Sequence, residues 1–162
     1  PFRRSPFQIA LADDLCYDRD ETLFTCTFYC LLGGAAFPDD QWTDFAATVL
    51  DWWAEELLRV SGRKQATFEL LFEDGPFRLE GRRDGARVLL RGMTGRRKHD
   101  GAPPEAKIPF EELAKAVESA ARRLLLPMNH CENIVVGVRD LNLSALVQEA
   151  VERAQEFARE TG

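Results

Sequence analysis

With 162 residues, 45% of them hydrophobic and 30% charged, the chain is sized for one compact core and is too apolar to be disordered over most of its length. Its net charge of −6 argues against nucleic acid as a partner, because phosphate binding rests on clustered lysine and arginine. No apolar run reaches the roughly 18 to 20 residues that cross a bilayer, and the opening Pro1 to Pro6 lacks the apolar stretch of a secretory signal, so the expectation is a cytoplasmic protein without membrane contact.

The first strands are expected over Phe7 to Ala12 and Leu23 to Leu32, separated by an acidic turn at Asp18 to Glu21. In the second, the two-residue period places Phe24, Cys26, Phe28 and Cys30 on one face, and Gly33-Gly34 ends it. Pro38-Asp39-Asp40 then reads as a helix start with a capping aspartate. Trp42, Phe45, Ala46, Val49, Trp53, Leu57 and Val60 recur at spacings of three and four up to Ser61-Gly62, which predicts one amphipathic helix.

Residues 66 to 93 alternate most clearly and predict a three-stranded meander. Pro76 lacks the amide hydrogen that would close a tight turn, so a four-residue loop from Glu73 to Pro76 is expected. That loop pairs Leu70 with Leu79 and Phe68 with Gly81. A two-residue turn at Asp84-Gly85 pairs Gly81 with Val88 and Leu79 with Leu90, so both hairpins bury the same face. Residues 94 to 106 read as a flexible basic loop. Ile108-Pro109 introduces a helix to Leu126, burying Phe110, Leu113, Ala114, Val117, Ala120, Ala121, Leu124 and Leu125. A short strand over Ile134 to Val138 and a last helix from about Leu143 to Ala158 complete the chain. With no repeat or linker, residues 1 to 162 form one α+β domain: a mostly antiparallel sheet, made of the N-terminal strands plus the meander, with about three helices packed on one face.

Four cysteines and two histidines raise the question of a metal, but Cys26 and Cys30, four residues apart on a strand, are separated by roughly 13 Å. Packed, reduced thiols fit this spacing better, and no metal or other cofactor is expected. Asn129 to Asn133, with His130 beside Cys131, contains the side chains of an activated thiol site and supports an alternative reading as a small enzyme or ligand-binding domain. Neighbours in sequence usually point apart, however, and a polar connector after a proline-stopped helix is the plainer reading of the segment. Arg91, Arg96, Arg97 and Lys98 lack the interleaved aromatics that stack on bases, so they read as a solvated loop.

Charge is unevenly distributed: residues 1 to 62 hold 4 basic and 11 acidic side chains, whereas residues 63 to 109 hold 11 and 7. Two surface patterns follow. On the first helix Asp40, Asp44, Asp51 and Glu55 fall on one outward stripe, flanked by Trp52, which is the composition of an interface. On the outer face of the meander the expected register sets Arg82 opposite Arg87 and Arg78 opposite Arg91, like charges that need cover or a partner.

A Trp-rich helix, Trp42 to Trp53, followed by a Phe-x-Leu-x-Phe-x-Asp-Gly strand and turn, Phe68 to Gly75, in a small acidic α+β chain resembles the immunity proteins of bacterial polymorphic toxin systems, including those delivered by contact-dependent or type VI secretion. The resemblance covers the layout of residues 22 to 126. It implies a non-catalytic, cofactor-free protein that binds one cognate toxin and occludes its active site, here a basic cleft met by the acidic stripe and Trp52.

Overall fold

In the computed structural model, residues 4–12, 16–17, 24–95, 101–128 and 159 are described. Eleven elements follow in order: β1 (Phe7–Leu11), β2 (Cys16–Tyr17), β3 (Phe24–Leu32), β4 (Ala35–Phe37), β5 (Thr43–Asp44), α1 (Ala46–Ser61), β6 (Gln65–Leu71), β7 (Phe77–Asp84), β8 (Arg87–Thr94), β9 (Glu105–Pro109) and α2 (Phe110–Met128). They build an α+β domain with two antiparallel sheets rather than one. β3 is the hub of the first, pairing with β1, β2, β4 and β5, and the second is a four-stranded meander in the order β6-β7-β8-β9. The turn at 18–21, the strand expected at 134–138 and the helix expected at 143–158 lie outside the described residues, so two helices stand where about three were expected.

One core unites both sheets. β3 alternates so that Cys26, Phe28, Cys30 and Leu32 are buried, while α1 buries Ala46, Val49, Leu50, Trp53, Ala54, Leu57 and Val60 and α2 buries Phe110, Leu113, Ala114, Val117, Ala120, Ala121 and Leu124. A chain of edge-on aromatic rings crosses the core. Trp53 stands 5.5 Å from Phe28 and 5.4 Å from Phe72, Phe37 meets both Phe72 and Phe77 at 5.9 Å, and Trp42 closes the series 4.8 Å from Phe77. Gly92 makes room for this series, since a Cβ there would stand 2.6 Å from Phe37, and Gly81 makes room for a separate core ring, since a Cβ there would stand 2.2 Å from Phe68.

Arg83 is the unexpected member of this core. It points inward from β7 with 2% of its surface exposed. Its guanidinium donates to Val60 O at 2.7 Å, Ser61 O at 2.8 Å and Gly85 O at 2.9 Å, and it lies 3.9 Å from the centre of the Phe110 ring. A cation thus meets the negative end of α1 and an aromatic face in one place, which joins both helices to the β7–β8 turn.

The structure corrects three expectations. α1 starts at Ala46, not near Asp40, because Thr43 and Asp44 pair with Thr27 and Cys26 of β3 and hold the preceding segment extended. The β6–β7 register is as expected, with Leu70 opposite Leu79 and Phe68 opposite Gly81. In the next hairpin, however, Asp84 pairs with Arg87, so the turn is Gly85-Ala86 and every β7–β8 partner moves by two residues. Gly85 takes the first turn position at φ 60°, where glycine is favoured, and the turn is anchored by Gly85 N–H to Lys64 O and Phe110 N–H to Ala86 O, both 2.7 Å. A two-residue shift preserves the buried face but changes every partner on the outer one. Finally, part of the expected loop at 94 to 106 is strand, since Glu105–Pro109 pairs with Arg87–Arg91 and carries the chain directly into α2.

Candidate functional site

The inner face of the meander packs against the helices and the first sheet. Its outer face carries Thr67, Glu69 and Leu71 of β6, Arg78, Glu80 and Arg82 of β7, Leu89 and Arg91 of β8, and Lys107 of β9. Beyond the β6 edge, α1 rises as a wall. Between wall and sheet lie two adjoining clefts, one of about 560 Å³ lined by residues including Glu56, Arg59, Glu80, Arg82, Leu89 and Arg91, the other of about 530 Å³ lined by Trp52, Glu55, Glu56, Arg59, Glu69 and Leu71. Glu56, Arg59 and Glu69 border both, so they form a single trough. Trp52, 38% exposed, and Leu71, 44% exposed, are the exposed large hydrophobic side chains among the described residues, and both belong to this trough.

The wall is fastened by bonds that a neighbouring strand would otherwise make. Trp53 Nε1–H donates to Leu71 O at 2.7 Å, the Arg59 guanidinium donates to Thr67 O at 3.4 Å, and the Glu69 amide donates to the Glu56 carboxylate. Glu56 in turn accepts from Arg59 Nε at 2.9 Å, and that bond first, then the Glu69 amide, holds its carboxyl below the ordinary value. The exposed edge of β6 is therefore occupied by α1 side chains. On the far side, β9 ends in Pro109, which has no N–H to offer, and the β3–β4 turn approaches Glu105 O so closely that a Cβ on Gly33, at φ 58°, would stand 3.0 Å from it. The β6 edge is thus not an open ladder, so a partner there meets side chains rather than adding a strand.

The arginine face is a set of ion pairs, not of opposed like charges. Because of the shifted register Arg82 lies opposite Leu89, Arg78 opposite Met93, Arg91 opposite Glu80, and Arg87 opposite Asp84. Arg78 reaches Glu80 at 2.8 Å and Glu69 at 3.3 Å, and Arg91 reaches Glu105 at 3.2 Å. Arg82 differs: its cross-strand neighbours are Thr67 and Leu89, and its side chain makes no ion pair or hydrogen bond among the described residues.

The acidic stripe does not form as expected. Asp40 is exposed in the segment before β5 and is not part of α1. Asp44 is 0% exposed. Its carboxylate accepts from Trp42 Nε1 at 3.1 Å, the Phe45 amide at 2.8 Å and the Asp74 amide at 3.2 Å, tying the start of α1 to the β6–β7 loop. Burial, outweighing these three donors, pushes its pKa up. Asp51 is half-buried on α1 with one carboxylate oxygen lacking a hydrogen-bond partner among the described residues, and burial followed by the nearby Glu55 raises its pKa. Glu55 and Trp52 alone among the five expected stripe residues line the trough.

Cys26 and Cys30 are buried, reduced thiols in the core, and burial raises the pKa of Cys30 far above the thiol range. No group of three or more metal-ligating side chains occurs among the described residues, and no helix there is long and apolar enough to cross a membrane. Residues 96 to 98 and the His130-Cys131 segment lie outside the described residues. Compared with known proteins, the chain matches no family model, no curated protein and no solved structure.

Proposed function

We propose that the chain is a non-catalytic binding protein of the immunity type, which neutralises a cognate bacterial toxin by docking over its active site through the trough between α1 and the meander. The observation that carries this reading is the convergence of Trp52 and Leu71 in one cleft, walled by charged side chains of both signs. A partly exposed tryptophan and leucine ringed by Glu55, Glu56, Arg59 and Glu69 have the make-up of an interface centre with a polar rim. The layout resemblance over Trp42 to Trp53 and Phe68 to Gly75 supports the choice of partner class.

The expected basic toxin cleft loses its main support, because Asp44 is internal and Asp40 is not part of the helix. A partner with an apolar projection amid mixed charge suits the trough better. The test is to co-express the chain with the product of the adjacent open reading frame, isolate the pair and titrate the toxin's activity. A stoichiometric inhibitory complex, weakened at least about tenfold by Trp52→Ala and by Leu71→Glu, is expected. Failure to form a complex, or full toxin activity within one, overturns the reading.

A further inference from the structure

The trough is polar along its length, and this deepens the reading just given by specifying what the partner presents. At one end Trp52 and Leu71 offer apolar surface beside Glu55, a carboxylate that makes no ion pair or hydrogen bond among the described residues. At the other end Arg82 sits over Thr67 with Leu89 as its neighbour, and Lys107 lies across Leu89 on β9. Arg78 and Arg91 hold carboxylates of this chain; Arg82 and Lys107 hold none among the described residues. Among the described residues, two exposed cations flanking a leucine are therefore without an ion pair, beside the pairs that Arg78 and Arg91 make.

We infer that the trough binds a protein segment carrying one apolar side chain for the Trp52–Leu71 end and one carboxylate for Arg82. The spacing follows from the strand. Leu71 and Thr67 are separated by about 13 Å at roughly 3.3 Å per residue, and Arg82 pairs with Thr67. An extended segment lying along β6 places its anchor and its carboxylate about four residues apart. Arg82 provides a planar fork suited to a carboxylate, and Lys107 adds positive potential without demanding a fixed geometry. Because the β6 edge is already occupied by Trp53, Glu56 and Arg59, recognition proceeds through these side chains and not through added backbone pairing.

The experiment uses the full chain and an array of short synthetic peptides in a Gly-Ser background, each with one tryptophan and one glutamate at separations from adjacent to about eight residues. Binding is expected to peak at a separation near four, to fall about tenfold with Leu71→Glu or with Arg82→Glu, and to return for Arg82→Glu when the peptide's glutamate is replaced by lysine. Both positions are exposed, and the lysine swap is a gain of binding that a misfolded variant cannot show. Binding that ignores the separation, or an Arg82→Glu variant that binds the glutamate peptides unchanged, overturns the inference. A toxin complex that forms but is indifferent to Arg82→Glu removes this inference alone, whereas absence of any toxin complex removes the function proposed above.

Discussion

Truncating Asp44 to alanine should reduce folding stability by about 3 to 4 kcal/mol. The carboxylate is wholly enclosed and accepts from Trp42 Nε1, the Phe45 amide and the Asp74 amide at 2.8 to 3.3 Å, so Asp44→Ala leaves three N–H groups without their acceptor. Each stranded donor costs about 1 to 1.5 kcal/mol where the surroundings exclude most water. Asp44→Asn keeps an oxygen for the two backbone amides but turns an amide NH₂ toward the Trp42 indole N–H, and should lose about 1.5 to 2 kcal/mol. With a urea m value of about 2 kcal/mol/M, the midpoint should fall by about 1.5 to 2 M for alanine and about 0.8 M for asparagine. The pH dependence supplies a second readout. Burial raises the pKa of Asp44 in the folded protein, so its favourable contribution is complete below the unfolded value of about 4 and is lost as pH rises through the folded value. The stability gap between wild type and Asp44→Asn should accordingly narrow from pH 4 to pH 7. An alanine variant within about 0.5 kcal/mol of wild type would refute the assignment of this side chain to the fold and return it to the surface.

Arg83→Met should cost about 2 to 4 kcal/mol in the same assay, since it abandons the Ser61 and Gly85 carbonyls and the Phe110 ring, with part of that loss offset by the release of a buried charge; Arg83→Lys should fall between it and wild type. Gly81→Ala should destabilise by about 1 to 3 kcal/mol through overlap with the Phe68 ring, and a double-mutant cycle with Phe68→Leu should show the loss shrinking. Glu56→Gln should weaken the attachment of α1 to β6. Because the Glu56 pKa is lowered, chiefly by Arg59, its contribution is present above about pH 4.3 and disappears as pH falls through the folded value, so the gap to Glu56→Gln should close in acid.

Local rules made much of this fold legible. Pro76 alone dictated the four-residue loop and hence the β6–β7 register, and the three- and four-residue spacing from Ala46 to Val60 and from Phe110 to Leu124 named the buried helix faces. What stayed hidden depended on contacts distant in sequence. The choice between Asp84-Gly85 and Gly85-Ala86 as the turn rests on Lys64 and Phe110, which no local pattern reveals. Asp44 belongs to a periodic acidic series on paper, yet its strand pairing with Cys26 turns it inward; its position immediately before the apolar run at Phe45 and Ala46 was the available clue. β9 was obscured by Pro104, which read as a loop residue, and by Pro109, which read as a helix entry; here Pro104 precedes and Pro109 ends an edge strand. Within the candidate site, Trp52 and the sheet arginines were each visible as surface features. That Trp52 and Arg82 line one trough was not, because it depends on α1 standing along the border of β6.

The order of the chain gives the fastening of β6 a temporal meaning. Glu56, Arg59 and Trp53 precede the strand they cover, so a ribosome delivers the guard before the surface it guards, and β6 has its cover to hand as it emerges. β9 comes later and brings its own terminating proline with it. A circular permutant opened between α1 and β6 would reverse that sequence of events, leaving the strand bare during synthesis, and should yield less soluble protein than its equilibrium stability alone would suggest.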